Sequence, residues 1–251
     1  MKLYSDLAEH YFYIENKHRN ISNDVGLIKQ LLPRNSRSRI LDLGCGTGEH
    51  LALLSKEGFL CHGIDNSSEM IENAKKRNGV NISYEIGSMN NFDYFNRFDM
   101  VICLFGSFNY MLTNKDIDAV MCNTYRSLKP GGLAMFEIWN AYPLHKIEHK
   151  PLSHVSTTYA HDNKIVRERG FTLTEKQPRT IVDVFYNYHV FSMGKVKRLE
   201  DRHTMRAYYQ KEIEKFVKDA GFKIIDRFAN SMKERFHQFS NKMILVMEKP
   251  F

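Results

Sequence analysis

Short apolar segments alternate with amphipathic ones from residue 40 to residue 140, and this alternation constrains the fold more than any other feature of the sequence. The apolar segments are rich in β-branched residues and leucine, which favours strands, and FDMVICLFG and LAMFEIWN are apolar enough for burial on both faces. The segments between them carry apolar residues at helical spacing. The sequence therefore predicts a doubly wound α/β fold, with a mostly parallel sheet covered by helices on both faces.

The pattern changes after residue 140. Four segments between 141 and 208 alternate apolar and polar residues and are separated by turn residues such as Asp162-Asn163 and Gly194, which predicts four antiparallel strands. A helix pattern and two strand patterns then resume the α/β alternation. We therefore predict a seven-stranded, Rossmann-like sheet interrupted by an antiparallel insertion. The predicted parts are N-terminal helices and core at 1–140, the insertion at 141–208, and the return to the core at 209–251.

The composition is that of a globular protein without a membrane span. Hydrophobic residues make up 43% of the chain and charged residues 26%, and no apolar run approaches the roughly 18 residues that a spanning helix needs. The N-terminus carries charges where a signal peptide needs an apolar segment. The four cysteines form no CxxC pair, which is typical of reduced thiols. We expect a cytoplasmic protein.

The net charge of +7 would attract an anionic substrate or a nucleic acid. The basic residues occur in short groups, however, without the aromatic pattern of an RNA-binding sheet. A solvated basic surface is the favoured interpretation.

Three glycines, Gly44, Gly46 and Gly48, follow the first predicted strand in the segment ILDLGCGTGEH. In an open parallel sheet, ligands bind at the carboxyl ends of the strands, where this loop lies. Glycines let the backbone approach a ligand and adopt dihedrals that a Cβ forbids. The spacing differs from GxGxxG, and Glu49 stands where a pyrophosphate would be repelled. The sequence favours a ligand without phosphate at this loop.

Asp65 ends the second predicted strand, beside the glycine loop. A carboxylate at this position can accept hydrogen bonds from both hydroxyls of a ribose. S-adenosylmethionine contains a ribose and has no phosphate, so it meets both conditions.

The segments ILDLGCGTGEH, EIGSMNNF, FDMVICLFGSFNYM and SLKPGGLAMFEIWN, together with Asp65, resemble successive motifs of the class I S-adenosylmethionine-dependent methyltransferases. LFGSFNYM, FEIWNAYPL and the C-terminal half are similar to those of small-molecule enzymes in this family, particularly the N,N-dimethyltransferases of nucleotide-linked amino sugars. The resemblance implies an enzyme that uses S-adenosylmethionine, releases S-adenosylhomocysteine, and methylates a small acceptor, with nitrogen favoured over oxygen.

The resemblance also implies a cofactor site in the loops that follow the first four predicted strands. The glycine loop would hold the methionine portion, Asp65 the ribose diol, and the residues after the fourth strand the floor beneath the sulfonium. Ser88 stands where many relatives carry an acidic residue, and Asp42 either contacts the ligand or orients the glycine loop. The implied cofactor-binding residues are Asp42, Gly44, Cys45, Gly46, Asp65, Asn66, Met70, Ser88, Met89, Leu104, Phe105 and Gly106.

The acceptor side is less determined. Methyl transfer is a displacement with a good leaving group, so the protein mainly aligns the reactants and excludes water. A neutral amine needs no base, a hydroxyl would need one, and no residue of the sequence identifies itself as that base. For the two tyrosines near the N-terminus, Tyr11 and Tyr13, and for Trp139, the alternative role is packing in the hydrophobic core. The acceptor-side candidates that the resemblance implies are Tyr11, Tyr13, Tyr110, Glu137 and Trp139.

Several alternatives stay open. The N-terminal helices and the insertion are predicted to form a lid, although the insertion could instead pair across a homodimer. A nucleic-acid methyltransferase and a non-catalytic protein that binds the cofactor are the alternative functions. The segment HKIEH at 145–149 matches a zinc-binding HxxEH pattern, but Pro143 and Pro151 leave barely two helical turns, so we predict no metal.

Overall fold

Two β-sheets, one mostly parallel and one antiparallel, organise the chain. The structure is a computed structural model and describes residues 1–16, 19–32, 37–77 and 79–251. Within these ranges no helix is both long and apolar enough to cross a bilayer. The elements are α1 (Tyr11–Glu15), α2 (Ile21–Leu31), β1 (Arg39–Leu43), α3 (Glu49–Lys56), β2 (Leu60–Asp65), α4 (Ser68–Lys75), β3 (Ile82–Ile86), β4 (Phe98–Cys103), α5 (Asn114–Ser127), β5 (Leu128–Trp139), α6 (Ala141–Ile147), β6 (His149–Ala160), β7 (Asn163–Glu175), β8 (Thr180–Ser192), β9 (Lys195–Ala207), α7 (Gln210–Asp219), β10 (Lys223–Phe228) and β11 (Lys242–Glu248).

The larger sheet has seven strands in the order β10-β11-β5-β4-β1-β2-β3. Strand β11 runs antiparallel to both β5 and β10, whereas the pairs from β5 to β3 are parallel. The prediction of a seven-stranded, mostly parallel sheet is confirmed. Because β1, β2 and β4 are parallel neighbours, the loops that follow them meet at one edge, which is where a ligand site is expected.

Strand β1 shows why helices cover both faces of this sheet. Leu41 and Leu43 point into a core that includes α5 and α7, whereas Ile40 points into a second core that includes α2 and α3. All three side chains have no measurable exposure, and burying each contributes about 1.5–3 kcal/mol. The period of two in the strand thus places alternate residues in two separate cores.

The segment Pro130-Gly131-Gly132, whose residue types favour a turn, lies inside β5. The N–H of Gly131 donates to the carbonyl of Lys249 at 2.8 Å, and the N–H of Lys249 donates to the carbonyl of Gly132 at 2.9 Å. The C-terminal residues thus supply hydrogen bonds that hold this segment in the sheet. The pairing with β4 shifts register here, so the glycines form an irregularity in a strand.

The four predicted antiparallel strands form the second sheet, in the order β6-β7-β8-β9. Its two ends meet at the main sheet: the N–H of Tyr208 donates to the carbonyl of Trp139 at 2.9 Å, and the N–H of Ala141 donates to that of Tyr208 at 3.0 Å. The segment thus leaves the main sheet and returns to it at the same place, which supports our proposal that residues 141–208 are an insertion. Buried Arg206, at the end of β9, joins the inserted sheet to α7 and α5, because it donates to Glu212 at 2.7 Å and to Asn114 at 2.8 Å.

The N-terminal segment packs against the inserted sheet. Leu3, Leu7 and Ile14 share a buried cluster with Val184 and Met205. A buried ion pair between Glu15 and Arg167 joins α1 to β7. The N-terminal segment and the inserted sheet therefore form a second layer beside the carboxyl edge of the main sheet. A proline at position 33 is expected from the sequence to end the preceding helix, but Pro33 lies outside the described residues.

Candidate active site

The glycine loop is tied to the end of β2. The N–H groups of Gly44 and Cys45 both donate to the carbonyl of Ile64, at 2.8 and 3.0 Å. Gly44 has φ +73°, and a Cβ built there would lie 2.7 Å from Cβ of Ser107. A side chain at this position would therefore need both an unfavourable backbone conformation and a displaced neighbour. The loop has glycine here because the segment after β4 packs directly on it.

Asp65 organises this edge from the tip of β2. One carboxylate oxygen accepts from the N–H of Gly46 at 2.8 Å, and the other accepts from the N–H of Ser67 at 2.9 Å. Burial raises the pKa of the carboxyl, although these backbone N–H groups oppose the shift. Each oxygen retains acceptor capacity, so Asp65 can hold the loop and still bind two hydroxyls.

Four of the implied cofactor-binding residues, those that follow β2 and β3, lie in different environments. Asn66 is exposed beside Asp65, whereas Met70 is buried in the cluster formed by the N-terminal segment. Ser88 donates to the amide oxygen of Asn90 at 2.6 Å, so its hydroxyl is engaged within its own loop. Met89 reaches the glycine loop, since its Cε lies 3.4 Å from the position of a Cβ on Gly44.

The segment after β4 has an unusual backbone. Phe105 has φ +54° and is followed by Gly106 with φ +76°, so two successive residues are left-handed. Such a conformation is costly for phenylalanine, and strained residues of this kind concentrate at functional sites. Leu104 is buried, and a Cβ on Gly106 would lie 3.1 Å from Nε1 of Trp139. The backbone conformation turns the Phe105 ring toward the cavity described below.

Asp42 and Cys45 are buried beneath the loop. Burial raises the pKa of Asp42 to about 6, against the attraction of His50 and Arg19. The Sγ of Cys45 lies 2.7 Å from the position of a Cβ on Gly63 in β2. The cysteine side chain therefore packs between elements, and only its backbone is positioned toward the loop edge.

Arg19 approaches the glycine loop from the N-terminal segment and was missed from the sequence. Its guanidinium lies 4.5 Å from the ring centroid of Phe105 and 3.5 Å from the Glu49 carboxylate. Nε and Nη1 of Arg19 and Oε2 of Glu49 are buried without a hydrogen-bond partner among the described residues. A buried cation and a buried anion, each with unused capacity, thus lie at the edge of the loop.

A cavity of about 520 Å³ adjoins this edge. Tyr11 and Phe105 line the cavity and also border the loop: a Tyr11 ring atom lies 3.7 Å from the position of a Cβ on Gly46. The predicted acceptor-side residues Tyr110, Glu137 and Trp139 line it too. Tyr13 does not belong to its wall; 38% of its surface is exposed, and its ring packs edge-on against His161. The structure thus brings together all the predicted acceptor-side residues apart from Tyr13.

The charged groups of the cavity wall are mostly paired. Arg167 bonds to Glu15, and Lys242 donates to Glu137 at 2.7 Å. Arg169 instead stacks near aromatic rings, with its guanidinium carbon 5.9 Å from the ring centroids of both Trp139 and Tyr186. These pairs leave the wall dominated by rings, among them Tyr4, Tyr11, Phe105, Tyr110, Trp139 and Tyr186.

The HKIEH segment does not form a continuous helix. His145 lies in α6 and bonds to the Thr180 hydroxyl at 2.8 Å, whereas His149 begins β6 and bonds to that of Thr172 at 2.8 Å. Glu148 between them pairs with Lys176. Over the described ranges, no group of three or more His, Cys, Asp or Glu residues is arranged to hold a metal ion.

The sequence is similar to those of known methyltransferases. Residues 40–132 match the family model described as "Methyltransferase domain". The chain is 27% identical over 207 residues to the dTDP-3-amino-3,4,6-trideoxy-alpha-D-glucopyranose N,N-dimethyltransferase of Streptomyces venezuelae, which covers 81% of this chain and 82% of that protein. It is 36% identical over 115 residues to the dTDP-4-amino-2,3,4,6-tetradeoxy-D-glucose N,N-dimethyltransferase of Saccharopolyspora spinosa, which covers 46% of this chain and 45% of that protein.

Solved structures share the architecture. An S-adenosylmethionine-dependent methyltransferase from Clostridium acetobutylicum ATCC 824 superposes with a TM-score of 0.81 over 99% of both chains, at 20% sequence identity. At this identity the likeness shows the fold alone. It confirms the predicted Rossmann-like methyltransferase architecture.

Proposed function

Since this chain is a class I S-adenosylmethionine-dependent methyltransferase, we propose that it transfers a methyl group to a nitrogen atom of a small molecule held in the aromatic cavity. One observation carries the proposal: Tyr11 and Phe105 belong both to the edge of the glycine loop and to the cavity wall. A cofactor on the loop and an acceptor in the cavity would therefore be neighbours.

The residues at the loop fit this cofactor. We propose that Asp65 binds the ribose hydroxyls, which two free lone-pair directions on its carboxylate support. The amino-acid end of the cofactor carries one carboxylate and one ammonium group. Arg19 and Glu49 supply one buried group of each sign with unsatisfied atoms, so they are suited to bind this end. Gly44 and Gly46 let the backbone approach it.

The cofactor supplies a methyl group on a positively charged sulfur, and the protein's part is to orient the acceptor and keep water out. The rings of Tyr11, Phe105 and Trp139 provide a low-polarity wall for that purpose. Ring faces also attract the positive charge that develops on a methylated nitrogen. We leave Tyr13 out of the proposed site, because it lies outside the cavity wall.

Nitrogen is favoured as the methylated atom for two reasons. The two relatives described above are named as N,N-dimethyltransferases. Glu15 and Glu137, the two carboxylates of the wall, are both engaged in ion pairs, so neither carboxylate is free to take the proton of a hydroxyl acceptor, which is held far more tightly than the proton of an ammonium ion.

We also propose a cytoplasmic location. All four cysteines are free thiols, and three of them are buried. Unpaired cysteines are usual in a reducing compartment.

The test is methyl transfer from isotopically labelled S-adenosylmethionine to matched acceptors. Free and nucleotide-linked amino sugars would be compared with analogues that carry a hydroxyl in place of the amine. We expect label in the amines alone, at a position that mass spectrometry assigns to nitrogen. Label in the hydroxyl analogues, or in added RNA and in no small amine, would contradict the proposal. Cofactor binding without transfer to any of these acceptors would instead favour a non-catalytic role.

A further inference from the structure

A chain of hydrogen bonds leads from the cavity wall into the inserted sheet. The hydroxyl groups of Tyr4 and Tyr110 are 2.9 Å apart, the hydroxyl of Tyr110 lies 2.5 Å from Nδ1 of His203, and Nε2 of His203 lies 2.9 Å from a carboxylate oxygen of Asp201. Three separate parts of the chain contribute to it: the N-terminus, the segment after β4, and β9. Of the four residues, Tyr110 is one of the acceptor-side candidates that the sequence implied.

The groups of this hydrogen-bonded network differ in solvent exposure. Tyr4 and Tyr110 line the cavity and are partly exposed. His203 is only 1% exposed and does not line the cavity. A molecule in the cavity could therefore exchange a proton with His203 through the tyrosine hydroxyls without touching the imidazole.

All hydrogen bonds of this network are donated in the same direction, from Tyr4 toward Asp201. Asp201 also accepts from the N–H of Leu3 at 2.8 Å. Burial opposes its ionisation, but the hydrogen bonds from His203 and from the Leu3 backbone outweigh burial and lower the pKa of Asp201 to about 2. An ionised Asp201 only accepts, so Nε2 of His203 carries a hydrogen and Nδ1 of the neutral ring accepts from Tyr110. Tyr110 in turn accepts from Tyr4, which leaves the Tyr4 oxygen free to accept from a ligand.

We propose that Tyr4, Tyr110 and His203 form a proton relay that removes the proton from an acceptor which enters the cavity as an ammonium ion, with Asp201 positioning His203. This inference rests on the proposed function, since an amine is nucleophilic only after it has lost that proton. The Tyr4 oxygen takes the proton while Tyr4 donates its own to Tyr110 and Tyr110 donates its own to Nδ1. The electron pair of the broken N–H bond stays on the acceptor nitrogen, and one positive charge moves to the imidazole.

The surroundings of His203 suit this charge. Its titratable neighbours are Tyr4 and Tyr110, Tyr186 on β8 with a ring centroid 5.1 Å away, and Asp201 on its own strand. Burial raises the pKa of both Tyr4 and Tyr110 well above the usual value, so both remain hydroxyls that pass protons at neutral pH. The imidazolium formed by the transfer would face one carboxylate and three neutral phenols.

The test compares the pH dependence of single-turnover methylation in wild-type protein, Tyr110→Phe and His203→Gln, using an amine that the wild type methylates. At a pH below the pKa of the acceptor ammonium, we expect both variants to be at least about 100-fold slower than wild type. The difference should shrink as the pH rises past that pKa, because the amine then arrives neutral. A purely structural role would lower the rate by the same factor at every pH, and that result would overturn the relay.

Tyr208→Phe is the matched control. The Tyr208 side chain is buried, its hydroxyl donates to the carbonyl of Met111 at 2.9 Å, and it does not line the cavity. We expect its rate and pH profile to match wild type. If His203→Gln fails to fold, Tyr110→Phe still decides the question, since it removes one oxygen and keeps the ring.

A second measurement does not depend on turnover. Nitrogen NMR of histidine-labelled protein should show His203 with hydrogen on Nε2 and none on Nδ1, and Tyr110→Phe should shift the Nδ1 signal. Hydrogen on Nδ1 in the neutral ring would overturn the relay. Wild-type protein that methylates no amine contradicts the proposed function, whereas wild-type methylation with pH-independent rate ratios contradicts the relay alone.

Discussion

The guanidinium carbon of Arg19 lies 4.5 Å from the centroid of the Phe105 ring, where the N-terminal segment meets the loop after β4. The arginine side chain is 7% exposed, and two of its nitrogens lack hydrogen-bond partners among the described residues. Donors of a buried charged group that make no hydrogen bond are costly, so such a group is suited to an anionic ligand.

Arg19→Met should weaken the binding of S-adenosylhomocysteine by at least about tenfold, because truncating one partner of a buried charge pair costs well over 1 kcal/mol. The same variant should bind 5′-methylthioadenosine, which lacks the amino-acid end, as wild type does. Calorimetric titration gives the dissociation constant of each ligand. A general effect of the substitution on folding would change both constants by the same factor, so it cancels in their ratio. An equal loss for both ligands would show that Arg19 does not recognise the amino-acid end.

Asp65→Asn should affect both ligands, in contrast to Arg19→Met, which should affect only the ligand with the amino-acid end. If Asp65 binds the ribose hydroxyls, this variant should weaken both ligands by a similar factor of about ten, since both contain the ribose. The same titrations measure it. Unchanged affinity for both ligands would remove Asp65 from the proposed cofactor site.

Asp42→Asn should stabilise the protein at neutral pH. Burial raises the pKa of Asp42 to about 6, so the native protein holds this proton more tightly than the unfolded chain does. Unfolding therefore releases the proton, and this group's contribution to the free energy of unfolding falls as the pH rises from about 4 to about 6. A shift of that size corresponds to about 3 kcal/mol at pH 7, which the neutral asparagine avoids.

Denaturant unfolding of wild type and Asp42→Asn at pH 4 and pH 7 measures this effect. The stability difference between the proteins should be small at pH 4 and favour the variant at pH 7. A variant that is less stable than wild type at pH 7 would show that the Asp42 carboxylate makes a net favourable contribution to the glycine loop.

Gly44→Ala should abolish detectable cofactor binding and lower the melting temperature, since the added Cβ would lie 2.7 Å from Ser107 at a φ of +73°. Gly26→Ala in α2 is the matched control, because a Cβ there has no atom within 4 Å. The control should raise stability by up to about 1 kcal/mol through helix propensity. Thermal melts and titration test both variants, and normal binding by Gly44→Ala would contradict the close approach of the loop.

Glu15 and Arg167 should show strong energetic coupling. Arg167→Met leaves a buried carboxylate unpaired and should cost about 3–5 kcal/mol, whereas Glu15→Leu combined with Arg167→Met should recover much of that loss. A double-mutant cycle by denaturant unfolding measures the coupling, and hydrogen exchange over residues 1–16 shows whether the N-terminal segment loosens. Additive effects of the two substitutions would mean that the pair does not hold this segment to the inserted sheet.

The elements of the fold were predictable because their signals are local. The apolar run of β1, the alternation in the inserted strands, and Ser67 as the N-cap of α4 lie within a few residues of the features they determine. Pro130-Gly131-Gly132 shows where local signals fail. These residue types favour a turn, but the segment lies within β5, where Gly131 and Gly132 form hydrogen bonds with the distant Lys249 that no local pattern reveals.

By itself, the sequence determined the doubly wound sheet, its antiparallel insertion, the glycine loop and Asp65 at the next strand end, because periodicity and glycine spacing express backbone preferences along the chain. Tertiary structure alone decided that Arg19 meets Phe105 and that Tyr110 meets His203, which lies 93 residues further along the chain. Side chains of such different parts of the chain converge through packing of the N-terminal segment and the insertion, and neither propensity nor spacing encodes that convergence.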